Sequence, residues 1–282
     1  MIAFPTMALV MPAIDPVIVQ VGPLAIRWYA LAYVAGLLLG WLYARRLIEN
    51  EALWSPAQRR PTAVELDDLL VYAAIGVVVG GRAGHVLVYG LPYYLQNPAE
   101  ILQVWHGGMA FHGGLAGVIL AVLVFARRRG LSALSLFDVM GVVAPLGLFF
   151  GRLANFVNQE LWGHVTDMPW GVIFRTGGPL PRHPSQLYEA ALEGLLLLVV
   201  LGVLVRRVGF RRPGLLAGFF GIGYALARSF CELFREPDPE SEQLAYGFTM
   251  GMALSLPMLL AGLALVAYAL RKPALAAAGT RA

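Results

Sequence analysis

Seven apolar runs constrain this chain more than any other feature: Leu24–Tyr43, Leu69–Tyr89, Met109–Ala126, Val139–Phe156, Leu187–Val205, Leu215–Phe234 and Phe248–Leu270. A helix needs about 20 consecutive apolar residues to cross the hydrocarbon core, and each run reaches or approaches that length. The residues are 59% hydrophobic and 13% charged, against about 25% charged in a soluble domain. Polar surface of that extent cannot enclose a globule in water, so lipid is the solvent for most of the chain. The sequence therefore predicts an all-α integral membrane protein with about seven transmembrane helices. Pro257 falls inside the seventh run with apolar sequence on both sides, which predicts a kink rather than an end. With no low-complexity linker and no internal repeat, residues 1–282 read as a single membrane-embedded domain with an outer-side loop region around 157–186.

The arginines orient the helices. Arg45, Arg46, Arg59 and Arg60 follow the first run, Arg127–Arg129 the third, Arg206, Arg207, Arg211 and Arg212 the fifth, and Arg271 with Lys272 the seventh. The loop from Gly90 to Gly108 has neither Arg nor Lys, and the loop after the sixth run is acidic, with Glu236, Asp238, Glu240 and Glu242. Positive charge stays on the cytoplasmic side, so the N-terminus is expected outside and the C-terminus in the cytoplasm. Net charge is +4, but basic residues dispersed between membrane runs do not make a nucleic-acid surface. The single cysteine, Cys231, allows no internal disulfide and no cysteine-based metal site; it reads as a small buried hydrophobe. The N-terminus lacks the pattern of a removable signal peptide. Small residues four apart, such as Gly36 and Gly40 or Gly76, Gly80 and Gly84, predict close helix contacts in lipid.

With this orientation, every ionisable residue inside a run falls in the outer half of the membrane: Arg27, Arg82, His85, His112, Arg152, Glu189, Glu193, Arg228 and Glu232. Charge at membrane depth costs roughly 2.5–3.5 kcal/mol per residue on insertion scales and marks function. A conduction path needs polar groups through the full thickness, and the inner halves have none. The pattern predicts a positive cavity open to the outer side. Arginine suits phosphate there because its planar fork donates in parallel and stays charged.

Each residue also has a structural reading. Arg228 and Glu232, four apart, can neutralise each other. Glu189 and Glu193 share a face and can pair with neighbouring arginines. Arg82 can be structural, Asn155 a helix–helix contact, Tyr29 an interfacial aromatic and His112 a satisfied structural histidine. The functional reading of His112 rests on its place at the lip of a helix beside Gly113 and Gly114 and on an unperturbed pKa near 6.5, suited to proton transfer. His106, His164 and His183 read as loop residues.

Several separated segments carry a family resemblance. They are Arg27-Trp-Tyr29, Gly80-Gly-Arg-Ala-Gly84, Gly107-Gly-Met-Ala-Phe-His-Gly-Gly114, Gly151-Arg-Leu-Ala-Asn-Phe-Val-Asn-Gln-Glu-Leu-Trp-Gly163, Arg182-His-Pro-Ser-Gln-Leu-Tyr-Glu189, Arg228-Ser-Phe-Cys-Glu232 and Phe234-Arg-Glu-Pro-Asp238. Together, in this order, they resemble the prolipoprotein diacylglyceryl transferases of bacteria. The resemblance implies an enzyme of the bacterial inner membrane, with its active site facing the periplasm. It implies transfer of the diacylglyceryl group of phosphatidylglycerol to the lipobox cysteine of a prolipoprotein signal peptide, forming a thioether and releasing glycerol phosphate. It carries catalytic roles to Tyr29, His112, Arg152, Asn155, Arg228 and Glu232, and substrate binding to Arg152, Arg228, Arg82, Glu160, Gly163, Tyr224 and Arg235. No metal, cofactor or nucleic-acid partner is expected; membrane lipids are. The rival expectations are a phospholipid or anion transporter with an arginine-lined vestibule and a lipid-binding scaffold.

Overall fold

A computed structural model of the chain describes residues 9–12, 14–15, 17–22, 24–237 and 249–275. Asp238, Glu240, Glu242 and the start of the seventh run at Phe248 lie outside these residues. The described chain divides into two compact units, one built from residues within 1–44 and 138–274, the other from residues within 45–137 and 275–282.

In the second unit, helix α2 (Ala63–Val88) opens on a capping box. The Thr62 hydroxyl accepts the Glu65 amide at 3.2 Å, and the Glu65 carboxylate accepts the Thr62 amide at 3.0 Å, satisfying two helix-end donors. Helix α2 lies against α4 (Phe111–Arg129) along the glycine ladder expected from sequence. A Cβ at Gly76 would stand 2.6 Å from the Gly117 carbonyl, so these backbones approach as only glycine allows. Between them run α3 (Leu91–Gln96) and 3-10 turns at Pro98–Leu102 and Val104–His106. Helix α4 ends with Arg127–Arg129 in its last turn and Gly130 in left-handed conformation, φ 63°, a charge and a residue type that both suit a helix C-terminus.

The first unit contains α1 (Trp28–Glu49) up to Ala44, and α5 (Ala133–Val157) from Asp138 onward. Gly36 meets the Gly147 backbone, again by glycine contact. Helices α8 (Leu215–Glu232) and α9 (Met250–Arg271) cross at Gly218 and Gly262. Pro257 lies inside α9, which continues past it, and Pro145 is similarly enclosed by α5. Buried Asp138 accepts the Gly214 amide at 2.7 Å and the Ala217 amide at 2.8 Å, supplying acceptors for donors at the start of α8.

Two expectations need correction, the start of the first helix and the continuity of the fifth run. The predominantly helical fold agrees with the expected all-α membrane class, and it carries short strands besides: β2 (Val17–Val21) and β3 (Leu24–Arg27) form an antiparallel hairpin, and β1 (Leu9–Val10) pairs in parallel with β4 (Val172–Ile173). Hence the first helix begins at Trp28 rather than Leu24, and Arg27 ends a strand. β-Branched Val17, Ile18, Val19 and Ile26 favour extended backbone, but Ile26 falls inside the apolar run Leu24–Tyr43 and so reads as part of its helix. The fifth run is not one α-helix. It is α6 (Ser185–Glu189), a π-helical stretch Ala190–Leu196 and α7 (Leu197–Val208). The loop region 157–186 carries isolated bridges Gly163–Arg235, Val165–Arg182 and Val172–Arg182, and its Val172 and Phe174 form a small core with Met11.

Among the described residues, five helical stretches are long and apolar enough to cross a membrane: α1, α4, α5, Ser185–Val208 and α9. Large apolar side chains such as Leu37, Leu120, Leu195 and Leu260 point outward from these helices, as lipid contact requires. This is a multi-pass membrane protein.

Candidate functional site

The first unit gathers the arginines of three segments around three glutamates. Arg152 comes from the end of α5, Arg228 and Glu232 from the last turns of α8, and Glu189 and Glu193 from the α6–π junction. Gly194 lets the backbones meet: a Cβ there would stand 2.8 Å from the Phe149 Cα, bringing the π segment against α5 within a turn of Arg152. The π turn itself is a rare element that recurs at functional sites.

Glu189 and Glu193 are 0% exposed. A carboxylate so placed is costly unless paired and hydrogen-bonded. Arg152 Nε lies 3.2 Å from Glu189 Oε2, and Arg152 Nη2 donates to Glu193 Oε2 at 3.4 Å. Arg228 Nη1 donates to Glu189 Oε1 and lies 4.0 Å from Glu193; Arg228 Nη2 donates to Glu232 Oε1. Arg235 Nη1 donates to Glu189 Oε1 at 3.5 Å. Glu232 also accepts the Thr249 hydroxyl at 2.6 Å, while that hydroxyl caps α9 by accepting the Met252 amide. Three guanidinium groups thus meet three carboxylates. The expected positive cavity is corrected to a charge-balanced cluster, because the glutamates named as possible partners do pair. Among the described residues, Arg152 Nε and Nη1 and Arg228 Nε donate no hydrogen bond, Arg152 Nε having only its ion-pair contact with Glu189.

Around this cluster, Asn155, one turn after Arg152, donates to Glu160 Oε1 at 2.6 Å. Part-buried Tyr224 lies within electrostatic reach of Glu193 and Arg228, and exposed Tyr29 within reach of Glu160 and Arg152. The Tyr29 hydroxyl is 2.9 Å from that of Tyr33. Gly163 has a backbone reason: a Cβ there would stand 2.7 Å from the His183 Cβ and collide with the Phe234 carbonyl. Gly163 donates its amide to the His183 carbonyl and bridges Arg235. Thus Tyr29, Arg152, Asn155, Glu160, Gly163, Tyr224, Arg228, Glu232 and Arg235 all belong to one unit.

Arg82 and His112 belong to the other. Arg82 is buried, and its guanidinium donates to the carbonyls of Ile101 (2.8 Å), Glu100 (2.5 Å), Gly107 (2.7 Å) and Gly108 (3.2 Å). The face of Tyr94 lies 5.0 Å from its guanidinium carbon. This arginine fastens the loop after α3 to α2. His112 is exposed in the first turn of α4, edge-on to the Phe111 ring, and has no hydrogen bond among the described residues.

The sequence names Glu189 and Glu193, two acids four apart in an apolar run, as possible arginine partners but not as site residues. Ser185, Gln186 and Thr249, which the structure joins to this cluster, carry no readable signal, because a buried polar residue at a helix start looks like any cap. His164 and His183 are not idle loop residues: His164 Nδ1 is 3.0 Å from Glu236, and His183 Nδ1 is 3.1 Å from the Tyr188 hydroxyl. Burial, and secondarily the neighbouring His164 charge, holds the His183 pKa below its usual range. Among the described residues no group of three or more His, Cys, Asp or Glu is arranged to hold a metal.

Comparison with known proteins gives one consistent result. The family model for prolipoprotein diacylglyceryl transferase matches residues 16–268. A phosphatidylglycerol–prolipoprotein diacylglyceryl transferase from Methylocella silvestris is 55% identical over 266 residues, covering 94% of this chain and 97% of the relative. Proteins of the same name from Rhizobium meliloti and Allorhizobium ampelinum are 57% identical over 260 residues and 58% identical over 255; they cover 92% and 89% of this chain and 93% and 88% of their own. The chain belongs to the prolipoprotein diacylglyceryl transferase family.

Proposed function

We propose that this protein transfers the diacylglyceryl group of phosphatidylglycerol to the cysteine thiol of a prolipoprotein lipobox. The sulfur forms a thioether with the glyceryl carbon, the carbon–oxygen bond to phosphate breaks, and glycerol phosphate leaves with the bonding electrons. The observation that carries the reading is the arginine–glutamate cluster on membrane helices, in a chain of this family. Arg152 Nη1 and Arg228 Nε are donors without an intramolecular hydrogen bond among the described residues, and a phosphodiester offers the acceptors they lack. Negative charge grows on the phosphate as the bond breaks, so fixed guanidinium groups stabilise the transition state more than the bound lipid.

The substrate thiol, with a pKa near 8.5, is only a few per cent ionised at neutral pH. His112 is assigned as the base that takes its proton. Asn155 and Glu160 act as a hydrogen-bonded pair beside the arginines, Tyr29 and Tyr224 as substrate-side aromatics, and Glu232 as the carboxylate that orients Arg228. Arg235 holds Glu189, and Gly163 lets the chain pass closely there. Arg82 is assigned to holding its loop rather than to lipid phosphate.

The arginine distribution supports seven spans in the bacterial inner membrane, the N-terminus outside, the C-terminus in the cytoplasm and the site facing the periplasm. Reporter fusions after Arg129 and after Glu242 are expected on the cytoplasmic and periplasmic sides respectively; the same side for both contradicts this. The activity is tested by incubating the purified protein with phosphatidylglycerol and a lipobox peptide. The peptide is expected to gain the mass of one diacylglyceryl group. Lipid flux without peptide modification selects the transporter reading instead.

A further inference from the structure

Glu160 stands in a contorted turn. The residues on either side of it, Gln159 and Leu161, have φ of 57° and 59°. Left-handed backbone is uncommon for any residue with a Cβ and most unusual for a bulky one such as leucine. It persists only where the surroundings over-determine it. Here four hydrogen bonds do so. The Ser185 hydroxyl donates to the Leu161 carbonyl at 2.9 Å, and Gln186 Nε2 donates to the Glu160 carbonyl at 2.6 Å. The Arg175 amide donates to Gln159 Oε1 at 2.8 Å, and the Thr176 hydroxyl donates to the Gln159 carbonyl.

Ser185 and Gln186 are both 0% exposed. Gln186 is also a poor choice for stability alone, because its buried amide oxygen has no partner among the described residues and half-satisfied buried amides are costly. Its amide nitrogen serves the turn. The same short helix that starts with these two residues ends at Glu189, the carboxylate between Arg152, Arg228 and Arg235. One element therefore fixes both the turn and the arginine cluster.

We propose that Ser185 and Gln186 are positioning residues that hold the Gln159–Leu161 turn in its left-handed form, so that the Glu160 carboxylate is presented to Asn155 in reactive register. The proposal rests on the reading that Asn155 and Glu160 serve the transfer reaction. A relaxed turn would let the carboxylate drift from Asn155 Nδ2, now 2.6 Å away, and a displacement of about 1 Å can cost up to about a hundredfold in rate.

The test is a double-mutant cycle on the full chain in lipid, read as diacylglyceryl transfer to a lipobox peptide, with hydrogen exchange of the turn amides alongside. Gln186→Ala should lower kcat by about ten- to a hundredfold and leave KM for phosphatidylglycerol within about twofold, since the arginines are intact. In a Glu160→Gln background the same change should cost no more than about twofold further, because the group being positioned is gone. Exchange at residues 157–162 should quicken in Gln186→Ala while α8 and α9 stay protected. Should Gln186→Ala fail to fold, Ser185→Ala carries the same cycle. Losses that multiply in the double variant, or a Gln186→Ala kcat within about twofold of wild type, overturn the proposal. If the wild type transfers nothing, the reading of the reaction falls instead, and exchange alone judges the turn: unchanged protection at 157–162 overturns the clamp and quickened exchange upholds it.

Discussion

Arg82 and Arg228 are the same residue type, the first buried and the second part-buried on a hydrophobic helix, and they are held in opposite ways. Arg82 donates to four backbone carbonyls of one loop. Arg228 and its neighbour Arg152 meet carboxylates: Glu189 and Glu193 from another helical segment, and Glu232 from Arg228's own helix. A carbonyl dipole belongs to the backbone; a guanidinium so engaged is a clamp. A carboxylate is an anion, and an arginine that binds one is shaped to bind another. On the proposed reading, the acceptor rather than burial separates Arg82, assigned to its loop, from Arg228, assigned to phosphate.

The comparison breaks if the second unit's chemistry resides in Arg82 rather than in exposed His112. His112→Gln should lower transfer to a lipobox peptide by roughly 10²–10⁴-fold at neutral pH, as loss of a general base does. Raising the pH from 6 to 9 should partly restore the rate, levelling near the thiol pKa of about 8.5. A rate within about twofold of wild type removes the base assignment.

For the first unit, Arg152→Lys should be nearly as damaging as Arg152→Ala, on the order of 10²–10³-fold. Lysine keeps the charge but cannot keep Nε on Glu189, Nη2 on Glu193 and a further donor for phosphate. Wild-type turnover in Arg152→Lys at equal protein level would mean that charge alone matters there.

Arg82→Gln should behave differently. Loss of hydrogen bonds from a charged donor to part-buried carbonyls should cost about 1–3 kcal/mol of stability, seen as a lower thermal midpoint, with KM for phosphatidylglycerol within about twofold. A selective rise in KM without loss of stability would return Arg82 to the lipid site.

Much of this contrast was legible in the sequence. Apolar length, arginine bias and glycine spacing located the helices of both units, since each property is local. The order of motifs pointed to Arg152, Asn155, Glu160, Arg228 and Glu232 as a set. What was not legible depends on contacts between distant segments. Arg82 has the same sequence context whether its donors meet phosphate or the carbonyls of residues 100–108. The cluster's charge balance needed the positions of Glu189 and Glu193 on the π-helical junction, and a π turn has no pattern separable from the α-helix around it. The strand Leu24–Arg27 was hidden because an apolar stretch has no period when it adjoins a helix of the same composition.

The smallest expected effect concerns the module beside the cluster. The His183 pKa is depressed by burial first, so the folded state binds its proton less readily than the unfolded chain. That contribution is present above the unfolded value near 6.5 and is lost as pH falls through the lower folded value. The thermal midpoint should decline slightly on acidification below about pH 6.5, and less so in His183→Gln. An equal decline in both proteins removes His183 from the account.

The most direct test of the central claim, that carboxylate-held arginines form the phosphate site, is the rate of peptide lipidation in Arg228→Lys against wild type at matched, folded protein and saturating peptide. The account predicts a loss of roughly 10²–10³-fold, with no compensating gain from raised pH. A rate within about twofold of wild type would contradict it, because a point charge would then do all that the Arg228 fork is held in place to do.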